Sequence, residues 1–179
     1  MLESLDLHLL DLVQNAREAG ARRIAIRWTC DEASDEVALE VVDDGRGMDA
    51  DTLAAVERGF YSTKGQRSVG LGIPLLRQTA EHCDGRFSIS SRLGEGTTVR
   101  ASFRRSHIDL PPFGDVAATF LSILVTSEDR WVSILYRCGG EVDLDTAELR
   151  ETLGGASLQS PGVLRALQEF LVERVGREG

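Results

Sequence analysis

A glycine-rich segment in the first half of the chain carries residue types that bind phosphate. It comprises residues 60–64, FYSTK, and residues 68–74, SVGLGIP. The second part is predicted to open a helix, where backbone N–H groups are unpaired and the helix dipole favours an anion. The segment also holds Lys64, the single lysine among 20 basic side chains, whose ammonium is a compact point charge. On these residues alone, the pattern fits either a phosphate site or a helix cap beside a solvated lysine.

Three further short signatures surround this segment in a fixed order. DLVQNA at residues 11–16 and DDGRGM at residues 43–48 precede it, and GEGT at residues 94–97 follows it. One glycine motif would be weak evidence, but four in order, each on the element where its chemistry is needed, form a strong signal. Together they resemble the GHKL superfamily: the ATP-binding domains of DNA gyrase, Hsp90-type chaperones, sensor histidine kinases and mismatch-repair ATPases. The resemblance covers roughly residues 5–103.

At the phosphate end, the resemblance implies that Asn15 ligates the magnesium ion that bridges the ATP phosphates. Magnesium prefers hard oxygen ligands and keeps much of its water, so one amide oxygen plus phosphate oxygens is a sufficient set. The glycine-rich segment would then contact the phosphates. The residues assigned to those contacts are Lys64, Gly70, Leu71 and Gly72.

Asp11 shares a helix face with Asn15, because the two lie four residues apart. It occupies the position where hydrolysing members of the superfamily carry a glutamate that activates water. Aspartate reaches about 1.3–1.5 Å less far, and a misplacement of that size can cost on the order of 100-fold in rate. Asp11 is therefore a tentative catalytic base, with a contact to the hydrated magnesium or a structural role as alternatives. His8, one turn earlier, could relay a proton or accept phosphate, although packing or solvent exposure is the favoured interpretation.

At the base end, the resemblance implies that Asp43 accepts a hydrogen bond from the adenine amino group. A carboxylate there selects adenine over guanine, which presents an acceptor oxygen instead. Gly45 and Gly47 would let the backbone approach the base. Met48 would line the base pocket with an adaptable thioether, and Thr97 would meet adenine through water, although both also fit ordinary core neighbours.

The hydropathy pattern predicts the elements that must position these residues. Residues 5–19 have helical periodicity. Several other segments alternate apolar and polar residues or are rich in β-branched residues, which is typical of strands. Residues 59–70 are long enough for a lid. With the resemblance, this predicts an α/β (α+β) two-layer sandwich of the Bergerat type, one mixed sheet covered on one face by helices. The other predicted elements of this part are strands 23–28, 37–42, 86–91 and 97–103, and helices 49–56 and 71–83.

The paired prolines within residues 110–114, LPPFG, indicate a boundary in the chain. We therefore predict an ATP-binding domain at residues 1–106 and a small α+β extension at residues 107–179. Its predicted elements are helices 115–125, 146–153 and 161–175, and a strand at 131–136 with a hairpin partner at 141–144. The sequence of the extension indicates no role.

Composition restricts the classes of function. The 179 residues are 42% hydrophobic and 27% charged, and the net charge of −9 disfavours a nucleic-acid partner, because neutralising phosphates needs a basic surface. No apolar run approaches the ~20 residues of a membrane span, and the start does not resemble a signal peptide. Cys30, Cys83 and Cys138 are odd in number and widely spaced. They predict reduced thiols and a cytoplasmic location.

These observations predict a cytosolic protein that binds ATP and Mg²⁺, either as a slow ATPase or as an ATP-dependent switch. One alternative is a kinase that phosphorylates a partner in trans, because residues 1–4 leave no room for a phospho-accepting hairpin. The other is a nucleotide-gated adaptor that does not hydrolyse ATP. In each case the lid or the C-terminal segment would contact a protein partner. The resemblance of residues 15–21 to mismatch-repair ATPases also suggests a homodimer.

Overall fold

The computed structural model describes residues 3–58 and 72–176. In these two ranges the chain forms six strands and six helices. In chain order they are α1 (Leu5–Glu18), β1 (Arg23–Asp31), β2 (Glu36–Asp43), α2 (Ala50–Glu57), α3 (Gly72–His82), β3 (Arg86–Arg92), β4 (Gly96–Arg104), α4 (Val116–Val125), β5 (Trp131–Cys138), β6 (Gly140–Asp145), α5 (Thr146–Thr152) and α6 (Pro161–Val175).

The six strands form one mixed sheet in the order β3-β4-β2-β1-β5-β6. Every neighbouring pair is antiparallel except β1 and β5, which run parallel. The predicted α/β class with a mixed sheet is confirmed. The predicted element positions also agree with the structure to within a few residues, and α6 has the predicted bounds.

The sheet buries one face because its strands alternate apolar and polar residues. In β1, Ile24, Ile26 and Trp28 are buried, whereas Arg23 and Arg27, which alternate with them, are exposed. Successive side chains of a strand point to opposite faces, so this alternation directs the apolar set toward the helices. Helix α1 contributes an apolar stripe to the same core, comprising Leu5, Leu9, Leu12, Val13 and Ala16. The turn after β2 packs on the C-terminal end of α1, because Gly45 lies against Ala19.

The C-terminal segment extends the sheet of the N-terminal part. Strand β5 pairs with β1 from Arg23↔Trp131 to Thr29↔Arg137. Trp28 packs against three aromatic rings of the second half, with centroids 5.4, 6.5 and 6.0 Å away; these belong to Phe113, Phe120 and Tyr136. The division at residue 106/107 stays a prediction, although the sheet and the hydrophobic core continue across it.

The prediction that all three cysteines are reduced is wrong for two of them. Cys30 and Cys138 form a disulfide across 108 residues of sequence, with Cα atoms 4.9 Å apart. The parallel pairing of β1 and β5 explains this, because both residues follow the last paired position, Thr29↔Arg137. Cys83 remains a buried thiol whose pKa is raised by burial.

None of the helices within residues 3–58 and 72–176 combines the length and hydropathy that crossing a bilayer requires.

Candidate functional site

Helix α1 presents Asp11 and Asn15 on its exposed side, opposite its buried apolar stripe. The Asp11 carboxylate lies against the first residue of α3, since a Cβ added to Gly72 would come within 2.7 Å of Asp11 Oδ2. Gly72 can pack this closely because it has no side chain. The structure thus brings Asp11 beside the start of α3, and Asn15 lies one turn further along α1. Lys64, Gly70 and Leu71 lie outside the described residues.

Asp43 is the last residue of β2 and pairs with Thr97 near the start of β4. Its carboxylate accepts the backbone N–H of Gly45 at 2.8 Å. Burial raises the pKa of Asp43, and the nearby backbone N–H groups of Gly45 and Thr97 oppose that shift. An ionised carboxylate can accept about four hydrogen bonds. Acceptor positions therefore remain for a ligand after the N–H of Gly45 has oriented the side chain.

The neighbouring carboxylate of Asp44 makes its hydrogen bonds to the start of β1. It accepts the backbone N–H groups of Arg22 and Arg23, both at 2.8 Å, and it is exposed. These hydrogen bonds, that of Arg23 first, lower the pKa of Asp44. The two adjacent aspartates thus differ in environment: Asp44 holds the turn before β1, and Asp43 faces the interior of the site.

Two glycines permit a close approach between the turn after β2 and the β3–β4 hairpin. Gly47 has φ +64°, and a Cβ on it would overlap the carbonyl oxygen of Arg92. Gly96 has φ +100°, and a Cβ on it would overlap the carbonyl oxygen of Asp43. Both conformations are ones that side-chain-bearing residues rarely adopt. Gly47 is thus required for packing within the protein. This requirement is separate from the close approach of the backbone to adenine that the resemblance implies.

Gly96→Ala is therefore expected to destabilise the protein much more than Gly94→Ala. Gly94 has φ +81°, but a Cβ added to it would meet nothing within 4 Å, so its substitution adds only backbone strain. That strain is about 1–2 kcal/mol, or roughly 2–8 °C in Tm. Gly96→Ala adds an overlap with backbone, so its Tm should fall by about 10 °C or more in thermal unfolding. Equal decreases for the two variants would contradict this account of the site.

Ser91 joins the segments around Asp43, although no motif in the sequence singles it out. Its hydroxyl accepts the backbone N–H of Met48 at 2.9 Å and lies 2.8 Å from the carbonyl oxygen of Gly96 and 2.9 Å from Thr97 Oγ1. Ser91 and Thr97 face each other in the β3–β4 ladder. The only signal available in the sequence was their placement in a predicted hairpin.

Gly45 and Met48 belong to the turn that follows Asp43. Met48 is half-buried and packs against the hydrophobic core, and a Cβ on Gly45 would come within 2.7 Å of Ala19 Cβ at the end of α1. The backbone N–H of Arg46 donates to the carbonyl of Ala19 at 2.9 Å. These contacts seat the turn after β2 on α1, the helix that carries Asn15.

His8 is buried, with 2% of its surface exposed. Among the described residues, neither ring nitrogen has a hydrogen-bond partner. Burial lowers its pKa, and the nearby carboxylates of Glu3 and Asp11 oppose that shift. This environment agrees with the packing interpretation of His8.

Comparison with known proteins identifies the family. The family model of the histidine kinase-, DNA gyrase B- and HSP90-like ATPases matches residues 3–107. The chain belongs to this family. It is 31% identical over 102 residues to the sensor protein SrrB of Staphylococcus aureus, with the same values in strains NCTC 8325 and COL; the match covers 54% of this chain and 18% of SrrB. The family identifies residues 3–107 as a histidine-kinase-like ATP-binding domain.

A solved structure is also similar. The crystal structure of full-length ShkA in complex with AMPPNP is 21% identical, has a TM-score of 0.43, and covers 54% of this chain and 20% of ShkA. The chain therefore spans about a fifth of the length of these relatives.

Proposed function

We propose that this protein binds Mg·ATP and acts as a slow ATPase or as an ATP-dependent regulatory switch. The observation that carries the proposal is the environment of Asp43. Its half-buried carboxylate is oriented by the N–H group of Gly45 and keeps acceptor positions for the amino group of adenine. Adenine would lie there with Met48 and Thr97 beside it.

The residues at the other end of the site suit the phosphates. The start of α3 at Gly72 would present first-turn backbone N–H groups and the positive end of a helix dipole to them. Asn15, on the exposed side of α1, offers an amide oxygen, the kind of ligand that magnesium accepts together with phosphate oxygens and water. A bound magnesium would neutralise phosphate charge, and the donor chemistry of Asn15 fits that role.

Asp11 would govern whether bound ATP is hydrolysed. As a general base, the Asp11 carboxylate would hold a water molecule and take a proton from it. Its reach is about 1.3–1.5 Å shorter than that of glutamate. We therefore propose slow or absent hydrolysis by the isolated chain. The biological output would then come from the effect of ATP on the surface shown to a partner.

Phosphotransfer to a partner protein in trans is the second candidate, and the similarity to a sensor protein favours it. Such a kinase would act in signal transduction. A protein partner at the C-terminal segment, a cytoplasmic location and a homodimer stay predictions. The disulfide between Cys30 and Cys138 removes the argument from reduced thiols for the location.

Asn15→Ala is expected to remove most of the effect of magnesium on ATP binding. Calorimetry would measure the affinity for ATP with magnesium and with a chelator, and the enhancement by magnesium should fall by on the order of 10–100-fold when the ligand is lost. Gln14→Ala is the matched control, because Gln14 is exposed on the same helix and donates to Glu18 at 3.0 Å.

Two results would contradict the proposal in different ways. Absence of heat at millimolar ATP in the unmodified protein would reject ATP binding itself. An unchanged magnesium effect in Asn15→Ala would reject Asn15 as the ligand and leave the adenine site standing. Labelled ATP then separates the candidate outputs, because released phosphate indicates an ATPase and a labelled partner indicates a kinase.

A further inference from the structure

We propose that two copies of this chain form a dimer through the face of the sheet that lies opposite the hydrophobic core. The strand residues of the core alternate along each strand and so belong to one face. The residues between them form the other face, which we call the open face. Its centre comprises Ala25, Arg27 and Thr29 of β1 and Ala38, Glu40 and Val42 of β2.

The two edges of the open face differ in charge. An antiparallel sheet can leave one face to water, so exposure alone indicates no partner. Three rows of paired residues cross all six strands, from β3 at one edge to β6 at the other. The β3 ends of these rows are arginine or serine, and the β6 ends are all acidic. Row by row, the end residues are Arg86 and Glu141, Ser88 and Asp143, and Ser90 and Asp145. One edge can therefore donate hydrogen bonds that the other can accept.

A twofold axis brings these two edges together. A symmetric dimer uses the same surface patch on both copies. If the axis runs parallel to the strands, between β1 and β2, each row of one copy lies on the same row of the other in reversed order. The outward residues of β3 then face the acids of β6 in the second copy. This rotation preserves the right-handed twist of the sheet, so the two twisted faces can stack.

The centre of the open face is also self-complementary about this axis. Glu40 faces Arg27 of the second copy, and the symmetric contact is identical. Within one copy, Arg27 Nη1 lies 3.3 Å from Glu40 Oε1, so the dimer would hold four alternating charges around the axis. On either side of this cluster the facing side chains are small or apolar, Val42 with Ala25 and Ala38 with Thr29.

The position of the axis follows from these charges. An axis directly over β1 would place Arg27 on Arg27, and one over β2 would place Glu40 on Glu40. The line between the two strands opposes unlike charges instead, and it is also the midline of the six-stranded sheet. Two copies related by this axis therefore cover each other completely.

The open face is large enough for a specific contact. Six strands about 4.8 Å apart and about eight residues long span roughly 600 Å². Two copies would thus bury about 1,200 Å², which exceeds the ~1,000 Å² expected of a specific interface. This area is at the low end for stable complexes, so we expect a dissociation constant in the micromolar range.

Arg86→Glu and Glu141→Arg test the contact between the edges. Each should raise the dissociation constant of the dimer about tenfold, because like charges then meet at two symmetric positions. Sedimentation equilibrium of the full chain without nucleotide measures this constant. Both side chains are exposed, so neither change should unfold the protein, and thermal unfolding checks this.

Combining the two changes distinguishes this arrangement from a general effect of charge. The two single variants, mixed together, should form a heterodimer with about the affinity of the unmodified protein. Each altered side chain then faces an unlike charge in the other variant, whereas it faces a like charge in its own homodimer. The double variant Arg86→Glu/Glu141→Arg should also recover dimerisation, because both contacts are again between unlike charges.

Ala25→Glu tests the centre of the interface. It places a carboxylate against Val42 of the second copy, where water is excluded, and should raise the dissociation constant about 100-fold or more. Val172→Glu is the matched control and should keep the dimer. Val172 is 56% exposed on α6, and that helix packs on the core side of the sheet through Leu171 and Val175.

Four results would overturn the inference. A protein that stays monomeric up to millimolar concentration would show that the dimer does not form. A dimer that Ala25→Glu leaves intact would use another surface. An effect of Arg86→Glu without one of Glu141→Arg would mean that the basic edge binds an acidic partner other than β6. Weakened single variants that do not recover when mixed would reject the twofold arrangement. Because no nucleotide is present, these results leave the proposed ATP binding untouched.

Discussion

Asp43→Asn is expected to weaken ATP binding by about 100-fold or more. A hydrogen bond to a charged group contributes about 1.5–3 kcal/mol, and 100-fold corresponds to about 2.7 kcal/mol. The substitution also adds a mismatch. The amide oxygen is needed by the backbone N–H of Gly45, so the amide NH₂ would be directed at the adenine amino group. Calorimetry with ATP and magnesium measures the loss.

The same substitution should not destabilise the protein without ligand. Burial raises the pKa of Asp43, so the folded state favours the protonated form. That preference stabilises the fold below the unfolded pKa and is lost as the pH rises through the folded pKa. At neutral pH the buried charge is therefore a cost, which a neutral asparagine avoids. The Tm of Asp43→Asn should equal or exceed that of the unmodified protein.

Asp44→Asn provides the matched control, with the opposite expectation on both measurements. The pKa of Asp44 is lowered by its hydrogen bonds to the backbone of Arg23 and Arg22. Its ionised form therefore stabilises the fold above the unfolded pKa, and this is lost as the pH falls through the folded pKa. Asp44→Asn should lower the Tm at neutral pH and retain ATP affinity. Unaltered ATP affinity in Asp43→Asn would reject the adenine assignment.

The secondary structure was predictable because it depends on neighbours in the sequence. The helix period of α1, the alternation in β1 and the proline at the start of α6 are local signals. They gave the positions of the elements with small errors at the ends. Asp43 and Asn15 could be singled out for a similar reason, since each stands within a short signature.

The remaining features depend on which strands become neighbours. The disulfide between Cys30 and Cys138 requires the parallel pairing of β1 with β5, and no local pattern indicates which strand a distant segment will join. The contact of Ser91 with Thr97 depends on the register of the β3–β4 hairpin. Gly96 lies against the carbonyl oxygen of Asp43, which is 53 residues earlier in the chain, so a side chain would not fit there. Each is a property of the sheet and not of a motif.

Asp11→Glu is expected to raise the rate of ATP hydrolysis by about 100-fold. The added methylene extends the carboxylate by about 1.3–1.5 Å, and a base misplaced by that distance can lose about two orders of magnitude in rate. The Asp11 carboxylate already lies beside Gly72 at the start of α3. The longer side chain would therefore start from the part of the site that is proposed to hold the phosphates. Asp11 is exposed, which leaves room for the extension.

Phosphate release at saturating Mg·ATP measures this rate, and calorimetry confirms that the variant still binds ATP. Asp11→Gln is the control, because glutamine has the length of glutamate but no carboxylate to accept a proton from water. The unmodified protein should turn over far more slowly than a dedicated ATPase, and several turnovers per second would contradict the proposal. Equal rates for Asp11→Glu and Asp11→Gln would show that reach does not limit hydrolysis. The carboxylate at position 11 would then act in magnesium hydration or in packing against α3, and the protein would work by holding ATP.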